Sequence, residues 1–283
     1  MKLYNTKSAV IISYENNFYV SPTPWDSLIN RDHLHHYLLD EIKNLKKTDH
    51  ANNLIEKELL PPISNQEVWA AGVTYFRSKE ARMDESKDSG GATFYDKVYD
   101  ADRPELFFKS TAPRVVGHGG YVYIRRDSTW NVPEPELTLF INTNGKIEGY
   151  TIGNDMSSRS IEGENMLYLP QAKTYSRSAA LGPCLYVPPT PMPQDTTIAM
   201  EIIRDGKVMY QDKVQINQMK RKHTELASWL FRELDFSSGC FLMTGTCLVP
   251  PSDFTLAVND IVNITIDGIG TMTNRIDMRK SDS

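Results

Sequence analysis

Cysteine is scarce and unpaired in this sequence. The three thiols, Cys184, Cys240 and Cys247, form neither an even set nor a CxxC pair, which argues against a disulfide framework and for reduced, packed side chains. No apolar run is long enough to cross a bilayer, and the opening Met-Lys-Leu-Tyr-Asn-Thr-Lys lacks the apolar core of a signal peptide. The expectation is a cytoplasmic protein with no membrane partner. Positive charge is not in excess: 31 Lys and Arg against 36 Asp and Glu leave a net charge of −5, which gives no basic footprint for nucleic acid. Repeats and low-complexity tracts are also missing, so any chemistry must come from individual residues on a packed fold.

What is present begins with length. A chain of 283 residues can bury a sizeable core, and one large domain with a small appendage fits it better than two equal halves. Residues 9–14 and 17–20 read as short strands around a Glu-Asn-Asn turn. Leu34, Leu38, Ile42 and Leu45 form a helical stripe over 31–47, with His33, His35 and His36 at surface or interface positions. Pro61-Pro62 marks a boundary, dividing a small N-terminal domain, 1–66, from a larger one, 67–283. Strand-like runs then dominate at 115–116, 121–124, 137–141, 147–152, 197–204 and 261–266. A helix is expected over 219–234 from Leu226, Trp229, Leu230 and Leu234. Gly117-His118-Gly119-Gly120 reads as a turn, because neither a P-loop lysine nor a helical pattern follows it. The fold class is α+β.

The most informative stretch is Val132-Pro133-Glu134-Pro135-Glu136, followed by Gly149-Tyr-Thr-Ile-Gly-Asn-Asp155-Met-Ser-Ser-Arg159. Two prolines keep the backbone extended, so Glu134 and Glu136 point to one side of a strand while Asp155 can arrive from a neighbour. Three carboxylates converging in this way suit a hard divalent cation, Mg²⁺, Mn²⁺ or Ca²⁺, with positions left for water or a chelating substrate. Taken alone, a Glu-x-Glu pair is more often a solvated face. Leu137, Leu139 and Ile141, of the other parity, predict one buried face and one open face. Arg159, Gln171 and Lys173 add polar and cationic groups suited to an anionic substrate.

With Gln-Ala-Lys173 and Met-Thr-Gly245-Thr246 in the same order, these motifs resemble the fumarylacetoacetate hydrolase superfamily over some three quarters of the chain, from about Gly72 to the end. The resemblance implies a mixed β-sandwich roll with a small N-terminal α/β domain. It also implies a homodimer or homotetramer, and Mg²⁺ or a similar ion on Glu134, Glu136 and Asp155. By the same resemblance Arg159 and Lys173 meet the substrate, and Gly245-Thr246 receives a carboxylate or keto oxygen.

Superfamily membership leaves the reaction open. Its C–C hydrolases carry Gly-x-Asn-Tyr with a histidine three residues on; here Gly72-Val-Thr-Tyr75 is followed by Ser78, a hydroxyl with no useful basicity near neutral pH. Arg77-Ser-Lys-Glu-Ala-Arg-Met83, Tyr95-Asp-Lys-Val-Tyr99 and Arg103-Pro-Glu105 resemble instead the sugar-acid branch, the 2-keto-3-deoxy-pentonate dehydratases. That likeness implies Glu105 as acid/base and Lys109 as a site lysine close to it. Lys173 is a candidate catalytic partner that could stabilise enolate or carboxylate charge, Tyr75 could meet substrate oxygens through its hydroxyl, and Arg77, in a polar stretch that could equally be a solvated helix face, is a candidate substrate contact. The charged, turn-rich run 84–93 has the composition of a closing loop. The chemistry fits: a 2-keto acid offers two oxygens to a metal, which acidifies C3, and a carboxylate can then remove that proton and help the C4 hydroxyl leave. The expected product is 2-oxoglutarate semialdehyde. Alternatives are acylpyruvate-type C–C hydrolysis, 2-oxo acid hydration or decarboxylation on the same site, or a non-catalytic metabolite-binding role.

Overall fold

A computed structural model of the chain describes residues 1–77 and 97–280. Its strands are β1 (Lys2–Asn5), β2 (Val10–Tyr14), β3 (Asn17–Ser21), β4 (Glu67–Gly72), β5 (Glu105–Thr111), β6 (Val115–Val116), β7 (Tyr121–Ile124), β8 (Asn131–Val132) and β9 (Pro135–Ile141). They continue as β10 (Ile147–Asp155), β11 (Ser157–Ser158), β12 (Ala179–Tyr186), β13 (Thr197–Arg204), β14 (Lys207–Gln215), β15 (Cys240–Met243), β16 (Ile261–Ile266) and β17 (Gly270–Met278). The helices that matter here are α1 (Trp25–Ile29), α2 (Leu34–Glu41), α3 (Ala51–Glu58), α4 (Arg159–Glu164), α5 (Leu169–Lys173) and α6 (His223–Leu230).

One mixed sheet runs β3-β2-β1-β12-β10-β9-β15-β4-β5, with β6 beside β12. A second, five-stranded sheet runs β14-β13-β16-β17-β7. The two pack face to face, β12 over β17 and β9 over β13. Between them lies the larger core, with Leu137, Leu139, Ile152, Ile198, Ile202, Ile264 and Ile276. This is the α+β class expected from the strand pattern, in the mixed β-sandwich form that the family resemblance implies. Tight turns set the register: Glu15 and Asn16 take left-handed φ of 47° and 60° between β2 and β3, as Asp205 and Gly206 do, at 50° and 75°, between β13 and β14. The Gly117–Gly120 cluster is a turn, as its composition predicted.

Strand β9 departs from expectation: all seven of its residues are buried. Leu137, Leu139 and Ile141 face the core between the sheets, while Phe140 joins a second core with Leu28 and Ile29 of α1 and Leu34 and Leu38 of α2. The face expected to be open is therefore covered by the N-terminal helices, which need an apolar surface to bury their own stripe. Residues 1–66 accordingly share both sheet and core with the rest, since β1 pairs with β12 at Leu3–Leu185 and Leu3 packs with Val68 and Phe241. Two helices are shorter than their periodicity suggested. The first stops at Glu41 and continues as a 3₁₀ turn, Ile42–Asn44. The second spans only His223–Leu230, leaving Leu234 exposed beyond its end.

Candidate active site

The acidic cluster is built where β9 and β10 meet. Pro133 and Pro135 flank Glu134 between the end of β8 and the start of β9, and the Asp155 amide donates to the Glu134 carbonyl at 2.9 Å. Glu136 stands opposite Gly153 in the same antiparallel ladder. Sheet pairing thus delivers Asp155 beside the Glu-x-Glu pair, as the extended Pro-Glu-Pro-Glu segment predicted. A carboxylate oxygen from each of Glu134, Glu136 and Asp155 lies within 4.8 Å of the others, and all three residues are buried.

Three buried cations neutralise the cluster. Lys173, at the end of α5, donates to Glu134 Oε2 at 2.7 Å, Asp155 Oδ2 at 3.3 Å and Ser157 Oγ at 2.6 Å. Arg159, opening α4, holds Glu134 Oε1 at 2.5 Å. Lys109 on β5 pairs with Asp155 Oδ1 and donates to the carbonyls of Met156 at 2.9 Å and Lys173 at 2.5 Å. Burial pulls the Lys109 ammonium below its ordinary value, and Lys173 nearby adds to that, against the attraction of Asp155. Lys109 thus has three protein oxygens around it, one of them from Asp155 of the acidic cluster.

Glu136 is different. Burial first, then Asp155 and Glu134, push its carboxyl well above the ordinary value, and only the Gly245 amide and Lys173 oppose this. A buried carboxyl beside two others is relieved by a cation. The donor set is all oxygen, which fits Mg²⁺, with Mn²⁺ or Ca²⁺ also accommodated, and is unlike a zinc site.

The Gly245 amide donates to Glu136 Oε2 at 2.6 Å; its φ of 96° needs glycine, and a Cβ there would stand 3.1 Å from the Ala71 carbonyl. Thr246 accepts from the Leu248 amide at 3.2 Å. Tyr75 is buried, with its hydroxyl pushed up by burial and then by Cys247 and Glu136. Glu105 opens β5 opposite Gly72. It shares a face with Phe107, whose ring centroid is 5.8 Å from Lys173 Nζ. Arg77 lies apart from the cluster, more than half exposed and paired with Asp212 at 3.0 Å. Ser78, Glu80, Arg82, the run 84–93 and Tyr95 lie outside the described residues.

Some contributors escaped the sequence reading. Ser157 holds Lys173, Ser178 Oγ donates to the Lys173 carbonyl at 2.9 Å, and Thr74 Oγ1 reaches the Thr244 carbonyl at 2.7 Å. Ser157, lying between Asp155 and Arg159, and Thr74, inside Gly72-Val-Thr-Tyr75, stood within motifs that could have pointed to them.

The geometry has counterparts. The 2-dehydro-3-deoxy-D-arabinonate dehydratase of Saccharolobus solfataricus is 40% identical over 242 residues, 85% of this chain and 80% of that protein. A Haloferax volcanii protein named "probable 2-keto-3-deoxyxylonate dehydratase" is 46% identical over 223 residues, 78% of this chain and 76% of its own length. The solved structure of 2-keto-3-deoxy-D-arabinonate dehydratase complexed with magnesium and 2,5-dioxopentanoate superposes with a TM-score of 0.85 at 34% identity, covering 99% of this chain and all of that one. The family described as fumarylacetoacetate (FAA) hydrolase C-terminal matches residues 68–277, the span that holds every site residue named above, and this chain belongs to it.

Proposed function

We propose that the protein is a Mg²⁺-dependent hydro-lyase that dehydrates a 2-keto-3-deoxypentonate to 2-oxoglutarate semialdehyde, which is 2,5-dioxopentanoate. The observation that carries this reading is the buried triad of Glu134, Glu136 and Asp155, ringed by Lys173, Arg159 and Lys109, on a chain similar to two sugar-acid dehydratases. The magnesium-bound relative supports the choice of ion.

The three carboxylates hold the ion, which when bound polarises the keto group of the substrate. Glu105 removes a proton from C3 and returns it to the departing C4 hydroxyl as water. A proton shift from C5 to C3 in the resulting enone, followed by tautomerisation, gives the aldehyde. Lys173 stabilises negative charge on the substrate's oxygens, and Arg159 with the Gly245-Thr246 loop orients its carboxylate. Tyr75 and Arg77 contact the substrate. Lys109 fixes Asp155. The catalytic apparatus belongs wholly to 67–283, with 1–66 as a structural appendage.

A homodimer or homotetramer accompanies this reading. The consecutive exposed Met166, Leu167 and Tyr168, and Val208 and Met209 on the edge strand β14, are apolar surface that assembly would cover. The three buried free thiols suit a reducing compartment, so the cytoplasm is the location proposed, with a small 2-keto acid as the partner.

The deciding experiment incubates purified protein and Mg²⁺ with the 2-keto-3-deoxy acids derived from D-arabinonate, L-arabinonate and D-xylonate. The semialdehyde is read through a coupled dehydrogenase. Turnover of at least one epimer is expected. Efficient cleavage of acylpyruvates with every pentonate untouched would overturn the dehydratase reading and leave the metal site standing.

A further inference from the structure

Gly72 ends β4 directly opposite Glu105, the first residue of β5. The three atoms nearest to a Cβ built on Gly72 all belong to the Glu105 side chain: Cγ at 3.3 Å, Cδ at 2.5 Å, and Oε2 closer still. The Glu105 carboxyl therefore lies flat across the bare Cα of Gly72, in space that any other residue would fill. The conformation of Gly72 is not the reason for glycine, because its φ is outside the left-handed region where glycine is favoured.

The neighbourhood makes this placement consequential. Just beyond Gly72, Thr74 bonds the Thr244 carbonyl, and Ala71 and Thr74 back directly onto Gly245, whose amide holds Glu136. On the other side, the face of β5 that carries Glu105 carries Phe107 against Lys173. A carboxyl lying over Gly72 thus sits at the strand end that leads to Thr74 and the Gly245 support of Glu136, on the face of β5 that carries Phe107. Turned away from Gly72, the same side chain loses that position while the strand beneath it stays paired.

We propose that Gly72 is a positioning residue for the proton transfer: the absence of its side chain sets the rotamer of Glu105. The inference rests on the reading of Glu105 as acid/base. A methyl group at 72 displaces the carboxyl from the near-attack geometry that proton transfer requires, and leaves the metal ligands and the sheet ladder as they are.

The test is a mutant cycle between Gly72→Ala and Glu105 variants, read as kcat, KM, Mg²⁺ affinity and Tm. Gly72→Ala is expected to lower kcat roughly 10- to 100-fold with KM and Mg²⁺ affinity nearly unchanged. In a Glu105→Gln background the same substitution should remove little further turnover, because it acts only through that carboxyl. Should Gly72→Ala fold poorly on its own, Glu105→Ala/Gly72→Ala should recover the Tm of Glu105→Ala, since nothing of Glu105 would then meet the new methyl. Two outcomes overturn the inference: wild-type kcat in Gly72→Ala, or an equal loss of activity or Tm in both backgrounds. Full activity in Glu105→Gln is a separate result, which removes the acid/base reading itself.

Discussion

Lys109 and Asp155 form an ion pair wholly inside the protein, with side chains 0% and 1% exposed. The lysine comes from β5 and the aspartate from β10, so the pair ties a strand at the edge of the large sheet to the acidic centre. Its two remaining ammonium protons go to backbone carbonyls at Met156 and Lys173. An ammonium buried so completely is costly unless each donor is satisfied, and removing one partner of such a pair is costlier still. Lys109→Met should destabilise the metal-free protein by about 3 kcal/mol, measured by urea unfolding. Saturating Mg²⁺ should recover part of that loss by giving Asp155 another cation. A variant as stable as the parent without metal would show that Asp155 does not depend on the pair.

The raised Glu136 carboxyl makes stability in the absence of metal depend on pH. Its folded value lies above the ordinary 4.5, so the folded state binds the proton more tightly than the unfolded state. That contribution is fully present below about 4.5 and is lost as pH rises through the raised value. In EDTA, Tm should therefore fall as pH increases across this window, and Mg²⁺ should flatten the slope by favouring the ionised form. Glu136→Gln should raise Tm in EDTA near neutral pH and abolish the stabilisation by Mg²⁺. Parallel pH profiles with and without metal would sink the assignment of Glu136 as a ligand.

Arg77 offers a contrast, because its partner Asp212 is a surface group. An exposed pair of this kind contributes about 0–1 kcal/mol, so Arg77→Ala should leave the unfolding midpoint almost unchanged. If the guanidinium meets the substrate from the rim, KM should rise about tenfold, the loss of one charge-assisted contact. An unchanged KM would return Arg77 to the surface.

The convergence of the acidic triad was legible because its spacing is a backbone property. Two prolines and a two-residue interval place Glu134 and Glu136 before any fold is known, and a neighbouring strand ending at Asp155 completes the set. The α+β class followed from strand-like runs that proved to be strands, while the packing of two sheets was implied by the family resemblance alone. Long-range packing was not legible. Nothing local in Pro135–Ile141 says that α1 and α2 cover its second face, and only the fold reveals that Lys109 serves Asp155. Strand β14 was missed because its mostly exposed residues lack a regular apolar–polar alternation, although Asp205-Gly206 is a hairpin turn signal. Gly72 stood in a recognisable motif, but nothing local in it pointed to its contact with Glu105, which is distant in sequence.

The last prediction separates proton handling from binding. Glu105 and Lys173 come from different elements, β5 and α5, and the ring of Phe107, on the Glu105 face of β5, lies 5.8 Å from the Lys173 ammonium. Glu105→Gln keeps the size of the side chain and removes its basicity, so turnover should fall roughly 10²- to 10⁴-fold with Mg²⁺ affinity retained. Lys173→Met removes one electrostatic donor, on the order of 3 kcal/mol in transition-state stabilisation. It also leaves Glu134 and Asp155 without a shared counter-ion, so this variant should bind Mg²⁺ more tightly while turning over more slowly. Single-turnover kinetics with calorimetric Mg²⁺ titrations check both halves. Weaker Mg²⁺ binding in Lys173→Met would mean that the lysine chiefly shapes the ligands, and undiminished turnover in Glu105→Gln would place the base elsewhere.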